Sequence, residues 1–444
     1  AEETIVLMKN DGILPLSASE EIAFIGKFAA QPRYQGGGSS HINSHKVDSA
    51  VDAVKGMNHI TYAQGFNLEN EEVDAVLMSE AIEAAKKAKV AVIFAGLPDA
   101  FESEGYDRSH MRLPECQNVL IEKILTVQPN VIVVLHNGSP VEMPWVKNVR
   151  GIVEAYLGGQ AVGSALTDIL FGKVNPSAKL PETFPLKLED NPSFLSYLGE
   201  GDKVEYKEGV FVGYRYYDTK KMDVLFPFGH GLSYTTFEYS NLKVSNDQIK
   251  DTDTMTVSVD VKNTGSMAGK EVVQVYVADK LSTVIRPVKE LREFAKVDLA
   301  PGETKTVTFT LGKRPFAYWN VAIHDWHVES GEFEIMIGKS SRDIVLSQTV
   351  TITSTVKLPL IYTMDTTIGD IMENPEAAET LQDLTKVFAE VFGGNAVEPS
   401  ESAVSSEMMN AMMKFMPLRG SISFGMGKVT WETLQGLLDK LNGK

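Results

Sequence analysis

The amino-acid sequence predicts an α/β protein in three parts: a doubly wound, mostly parallel α/β sandwich, an immunoglobulin-like β-sandwich and a mainly helical C-terminal tail. Three observations predict it. Short apolar runs alternate with helical patterns as far as about residue 185, an alternation that builds a parallel sheet with helices on both faces. From about residue 236 the apolar residues fall at every second position, the period of a half-buried strand. From about residue 353 helical spacing returns.

Each element follows in order. The opening Ala-Glu-Glu-Thr-Ile-Val-Leu-Met-Lys-Asn reads as a helix with no start signal, as though in the middle of an element. Strands are expected at 22–25, 59–62, 90–95, 131–135 and 151–156. Helices are expected at 71–88, at 119–125 and at 160–171, where Gly172 stops the last. These fill a first domain, 1–185. Residues 186–235 form an irregular, aromatic-rich linker with Pro192 and Pro227. Within it, the aromatic stretch 206–217 is expected to be buried at the domain junction rather than to rim a leaving-group site. In the second domain, 236–352, Val257, Val259 and Val261 alternate with polar residues, as do Val307, Phe309 and Leu311. Asn263-Thr264-Gly265 and Pro301-Gly302-Glu303 supply turns between them, the spacing of an immunoglobulin-like sandwich. The extension 353–444 carries Met408, Met409, Met412, Met413 and Met416 at helical spacing, a packing stripe and a candidate homo-oligomer contact. Residues 393–395 and 398–406 read as a flexible linker.

Composition narrows the function. A chain of 444 residues can bury two or three cores. A formal charge of -17 with no basic block argues against a nucleic-acid partner. No apolar run approaches the roughly 20 residues that span a bilayer, so no membrane partner is expected. The single cysteine, Cys116, excludes an internal disulfide framework and a multi-cysteine metal site; neither metal nor cofactor is expected. This cysteine usage suits a reducing cytoplasm, while a secreted or periplasmic home would need a signal on a part not seen in this sequence.

The richest stretch for chemistry is 101–117. Glu102 and Glu104 lie on a loop leaving the C-terminal end of the strand at 90–95, where open α/β sheets place their sites. A loop glutamate beside glycine can carry a proton to a leaving group, although a lone loop carboxylate is more often only solvated. The loop Gln35-Gly36-Gly37-Gly38-Ser39-Ser40 could press amides and hydroxyls against a hydroxylated ligand; it lacks the Lys-Ser/Thr ending of a phosphate cradle. His136, at another strand end, is expected to be structural.

Several segments together resemble the non-barrel part of glycoside hydrolase family 3. They are the opening through Asn10-Asp11-Gly12-Ile13-Leu14-Pro15-Leu16, the loop Ser103-Glu104-Gly105-Tyr106-Asp107-Arg108 with Leu113-Pro114, and Asn175-Pro176-Ser177-Ala178-Lys179-Leu180-Pro181-Glu182-Thr183-Phe184-Pro185, which resembles the last strand of the family's α/β domain. Phe226-Pro227-Phe228-Gly229-His230-Gly231 is similar to the segment that introduces the family's fibronectin type III-like domain, and Gly269-Lys270-Glu271-Val272-Val273-Gln274-Val275-Tyr276 lies inside it.

The resemblance implies part of a retaining exo-acting β-glycosidase, foremost a β-glucosidase cutting non-reducing-end glucosyl residues from a β-glucoside or oligosaccharide. Such an enzyme needs two carboxylates about 5–5.5 Å apart. By position in the motif Glu104 takes the acid/base role, with Glu102 the runner-up, itself read chiefly as a loop-surface charge. Arg33, Tyr34 and Ser39 on the glycine-rich loop, with Glu102, Asp107 and Arg108, are the candidate substrate-side residues. Asp107 and Arg108 are expected to fix the loop by a salt bridge or hydrogen bonds. The nucleophile belongs to a (β/α)8 barrel, in a Ser-Asp-Trp sequence, that this chain lacks. His324-Asp325-Trp326 only looks like it, Asp325 being read as a turn residue and Trp326 as core. A barrel on another chain or fragment is therefore the expected partner. The other readings are a non-catalytic carbohydrate-binding or scaffold module on the same fold, and a β-xylosidase part.

Overall fold

The computed structural model describes residues 1–381, 408, 411, 414–425 and 427–443. Six strands, β1 (Val6–Asn10), β2 (Ile22–Ile25), β3 (Ile60–Ala63), β4 (Val90–Gly96), β5 (Val131–His136) and β6 (Gly151–Glu154), form one sheet in the order β1-β6-β5-β4-β2-β3. The last five of that order are parallel. Every residue of β4 and β5 is buried, and full burial of a Val or Ile side chain stabilises by about 1.5–3 kcal/mol. That is why these two strands read as unbroken apolar runs. Phe24 on β2 and Phe94 on β4 meet at 5.0 Å between ring centroids in this core.

Helices α1 (Lys27–Ala30), α2 (Ala50–Ala53), α3 (Ala75–Lys87), α4 (Glu115–Leu125) and α5 (Val162–Leu170) connect or follow the strands. Asp74 caps α3 by accepting from the amides of Val76 and Leu77. α3 packs on α4, and α2 on α5.

Two expectations change here. Residues 6–10 are a strand, not a helix, paired antiparallel to β6 with Val6 opposite Glu154. Ile5, Val6, Leu7 and Met8 are all buried, and such a solid apolar block has no period to betray its conformation. Residues 175–183 form no strand; Leu180 donates its amide to His230 O and accepts from Gly229 N, both at 2.8 Å, and the next residues reach the bridge between Phe184 and Phe226.

The stretch 186–235 carries a short helix, α6 (Tyr214–Thr219), and returns Phe226 to the α/β core. Its aromatics divide: Tyr214 and Tyr217 are buried, whereas Tyr206 is 81% exposed.

Next comes a β-sandwich of a five-stranded and a three-stranded sheet. Strands Met255–Asn263 and Thr304–Leu311 pair antiparallel, so Val257, Val259 and Val261 share one face with Phe309 and Leu311 inside it. Asn263 at the end of the first is fully buried and ties four groups: its Oδ1 accepts from Thr235 Oγ1 and Gly265 N, and its Nδ2 donates to Met267 O and Leu299 O. Asp325 starts a short strand, and the turn falls on His324, whose φ is +51°. Trp326 is partly buried against the sandwich core. Lys179 of the α/β domain reaches Glu271 of the sandwich at 3.3 Å, with Tyr239 donating to the same carboxylate at 2.9 Å.

The C-terminal unit has its own small core, in which Ile371, Leu418 and Leu434 are fully buried. Thr430 caps its helix Trp431–Leu441 by accepting from Thr433 N. Of the methionine stripe, Met416 joins this core and Met408 is exposed; Met409, Met412 and Met413 lie outside the described residues, as do 393–395 and 398–406. No described helix is long and apolar enough to cross a membrane.

Candidate active site

The sheet order puts the candidate loops together. β2 sends the chain out to β3 on one side, and β4 then returns to the other side of β2. β2 and β4 are thus the neighbours from which chain connections diverge, and ligands bind in the crevice at such a point. The glycine-rich loop follows β2 and α1, and the loop with Glu102 and Glu104 follows β4. Gln117 on α4 pins the start of that second loop, donating to Gly96 O at 2.9 Å and accepting from Gly96 N at 2.8 Å.

Glu104 stands exposed, and Ser39 holds both its oxygens. The Ser39 amide donates to Oε2 at 2.8 Å and the Ser39 hydroxyl to Oε1 at 2.7 Å. The glycines permit this approach: a Cβ on Gly38, whose φ is +94°, would lie 2.7 Å from the Glu104 Cβ. Gly105 turns the chain with φ +89°, a value only glycine adopts easily. The Ser39 hydroxyl, and then its amide, hold the Glu104 carboxyl below the ordinary range. In this arrangement Glu104 is ionised, the form that accepts a proton. Removing the hydroxyl with Ser39→Ala should raise the Glu104 pKa measured by carboxyl-carbon NMR titration; an unmoved titration would show that the hydroxyl does not set it.

Glu102 is not the surface charge the sequence suggested. Its side chain is 18% exposed and bound by protein donors: Arg33 Nη1 at 2.5 Å, Gly138 N at 2.7 Å, and the Ser139 hydroxyl. Burial pushes its pKa up, but Ser139, Gly138 and Arg33 outweigh this and leave it below the ordinary value. Arg33 is itself buried, donating also to Leu97 O at 3.0 Å and to the Glu102 carbonyl at 2.8 Å, with Asp99 3.2 Å from its Nε. Arg33 and Glu102 thus brace the loop. Tyr34 accepts from Gln35 Nε2 and lines a smaller cleft with His41. Arg108 does not pair with Asp107; it donates to Ser139 Oγ at 2.8 Å and Pro140 O at 3.1 Å, while the carboxylate of exposed Asp107 pushes the pKa of the Tyr197 phenol up. His136 is structural: it stacks on Phe28 and Phe94, and burial lowers its pKa to about 4, so it is neutral.

Sequence reasoning missed the acidic group beneath the loop. Glu154, the fully buried end of β6, accepts from Asn137 Nδ2 at 3.0 Å and from Tyr156 N at 2.9 Å. Tyr156, strained at φ +49°, donates its hydroxyl to Glu182 at 3.2 Å. Burial, with a smaller push from the Glu102 charge, raises Glu182 to about 7 against the opposing Tyr156 bond. Only the Lys179-to-Pro185 motif pointed toward Glu182; nothing local marked Glu154. Among the described residues, no cluster of His, Cys, Asp and Glu could hold a metal ion.

Glu182 makes stability depend on pH with a definite sign. Its folded pKa lies above the unfolded 4.5, so its contribution is full below about pH 4.5 and is lost as the pH rises through about 7, by about 3 kcal/mol. Buried Glu154, also raised, acts in the same direction. Glu182→Gln cannot ionise. Relative to the parent it should gain about 3 kcal/mol in urea unfolding between pH 5 and pH 8; a difference independent of pH would contradict this.

Fold and site together define a doubly wound α/β domain that presents a braced carboxylate loop at its switch point, followed by a β-sandwich. The profile of the Glycosyl hydrolase family 3 C-terminal domain matches residues 5–234, and that of a fibronectin type III-like domain matches 271–341. The chain belongs to glycoside hydrolase family 3. It is 53% identical to the thermostable beta-glucosidase B of Acetivibrio thermocellus, across 100% of this chain and 58% of that protein. It is 44% identical to an exo-alpha-(1->6)-L-arabinopyranosidase of Bifidobacterium breve, across 94% of this chain and 55% of that one. The crystal structure of a Bifidobacterium adolescentis GH3 beta-glucosidase superposes with a TM-score of 0.80 at 45% identity, over 86% of this chain and 56% of that one. The chain spans little more than half the length of these relatives.

Proposed function

We propose that this chain supplies the general acid/base, Glu104, of a retaining exo-acting β-glycosidase, a β-glucosidase foremost. The observation that carries the proposal is the exposed Glu104 carboxylate, gripped by Ser39 on a loop braced through Glu102 and Arg33 at the switch point. In the first step the Glu104 hydroxyl gives its proton to the glycosidic oxygen as an aspartate attacks the anomeric carbon and the bond to the leaving group breaks. In the second, the Glu104 carboxylate takes a proton from the water that displaces the aspartate. Held by Ser39, the carboxylate is set for the second step. The first requires it to carry a proton, which exclusion of water by substrate and partner would favour.

The aspartate is proposed to come from a (β/α)8 barrel on another chain or fragment. Exposed Leu195, Leu198, Val204 and Tyr206, on the irregular stretch that follows the α/β domain, give such a partner an apolar surface, and a specific complex would bury more than about 1,000 Å². The chain alone should therefore be inactive on aryl β-glucosides and gain turnover when mixed with a family barrel carrying Ser-Asp-Trp. Full turnover by the purified chain alone would refute the divided site. The Bifidobacterium breve relative's name favours a second glycone, so the assay should set aryl α-L-arabinopyranoside and β-xyloside beside the glucoside.

A further inference from the structure

The loop that bears Glu104 is clamped on both sides by one short turn. Ahead of Glu104, Glu102 accepts from Gly138 N at 2.7 Å and from the Ser139 hydroxyl. Beyond it, Arg108 donates to Ser139 Oγ at 2.8 Å and to Pro140 O at 3.1 Å. The turn 138–140 follows β5 and is shaped for this contact, since a Cβ on Gly138 would stand 3.0 Å from a Glu102 carboxylate oxygen. What fixes the turn lies one residue earlier and one strand over. Asn137 and Glu154 are both fully buried. The Asn137 side-chain amide has two hydrogens, and both are used. Its Nδ2 donates to Ser139 O at 2.9 Å, which closes the turn, and to Glu154 Oε2 at 3.0 Å, which ties it to the end of β6. Tyr156 N holds the other Glu154 oxygen at 2.9 Å.

We infer that Asn137 and Glu154 are positioning residues for Glu104, holding the turn 138–140 as the platform on which the acid/base loop is set. The Glu104 carboxylate itself is held by Ser39, so the two act through the platform. Glu104 belongs to no strand or helix, and Gly105 after it turns at φ +89°. Its place is therefore set by the anchors at 102 and 108, and both anchors end on the same turn. An apolar residue at 154 would bury at a lower cost than a carboxyl, yet it could accept nothing from Asn137. Burial raises the Glu154 carboxyl well above its usual range, so its part is to accept hydrogen bonds rather than to pair charge. The consequence for catalysis rests on the acid/base reading of Glu104; the placement of its carboxylate does not.

The test is Glu154→Leu, an apolar side chain of similar size. Ser139→Ala is the second variant: at a partly buried position, it severs the hydroxyl from both Glu102 and Arg108. In the 444-residue chain by itself, hydrogen exchange at the Gly138 amide should quicken about tenfold or more. The Glu104 titration, followed by carboxyl-carbon NMR, should move up toward the ordinary range as the Ser39 grip loosens. In the chain assembled with a barrel partner, kcat for cellobiose should fall about 10- to 100-fold, with KM nearly kept. Glu154→Gln, whose amide oxygen preserves one acceptor, should recover part of each effect. A Glu104 titration and a Gly138 exchange rate that stay at the parent's values in both variants would overturn the positioning role. Failure of the acid/base reading would show differently: Glu104→Gln would keep its turnover, while the two effects measured in the chain alone would remain.

Discussion

Glu104→Gln in the chain assembled with a barrel partner is expected to lower turnover of alkyl glucosides and cellobiose by about 10²–10⁴-fold. The amide keeps the shape of the side chain and can still accept from Ser39, which grips the carboxylate at 2.7 and 2.8 Å. It has no acidic proton for a leaving oxygen and no basic lone pair for water. The loss should depend on the leaving group. A dinitrophenolate departs without protonation, so the first step with that substrate should be nearly preserved and the glycosyl intermediate should accumulate as a burst. Added azide, a nucleophile that needs no base, should then restore turnover. Equal losses for activated and unactivated substrates would remove Glu104 from proton transfer. Retained activity on cellobiose would transfer the role to another group.

The second large effect falls on folding. Glu102→Ala should destabilise the chain by about 3–5 kcal/mol in urea unfolding at pH 7. The mutation leaves Arg33, 5% exposed at its side chain, with only the Leu97 carbonyl, the Glu102 main-chain carbonyl and the more distant Asp99. It also strips the acceptor from Gly138 N and Ser139 Oγ. Glu102→Gln keeps the shape and some of these bonds and should cost less, about 1–3 kcal/mol. The pH dependence has the opposite sign to that of Glu182. Glu102 has a folded pKa below its unfolded 4.5, so its stabilisation is present above about that pH and fades as the pH falls further. A loss under about 0.5 kcal/mol for Glu102→Ala would show that the brace carries little.

The two results would separate the glutamates of one loop, two residues apart, into a proton carrier and a strut. The sequence could not do so. Glu102 and Glu104 share a composition of neighbours, and what distinguishes them is contact: Arg33 is 69 positions from Glu102, and Ser39 is 65 from Glu104. Much else was legible. β2, β4, β5 and β6 stand out because a parallel strand buried on both faces reads as a near-continuous apolar run, the edge strand β3 by its β-branched and aromatic residues although Thr61 and Tyr62 are exposed, and the sandwich because its strands bury one face only. The opening strand was misread because four consecutive buried residues, Ile5 to Met8, have no period and only pairing with β6 gives them a conformation. Glu154 stayed hidden for a similar reason: a glutamate ending an apolar strand looks like a solvated terminus until Asn137 and Tyr156 close over it.

Local physics wrote the elements into the sequence. Burial pattern, turn chemistry and motif order are properties of neighbouring residues, and they sufficed for the α/β domain, the sandwich, the family and the loop that bears Glu104. The tertiary structure alone decided which strands stand side by side, and so that the loops after β2 and β4 meet. It also decided that Ser39 keeps Glu104 ionised, that Glu102 is a strut, and that Glu182 titrates near neutrality over a buried Glu154. Each of these depends on burial and on partners brought from distant positions. A carboxyl's proton affinity is set by what surrounds it in space.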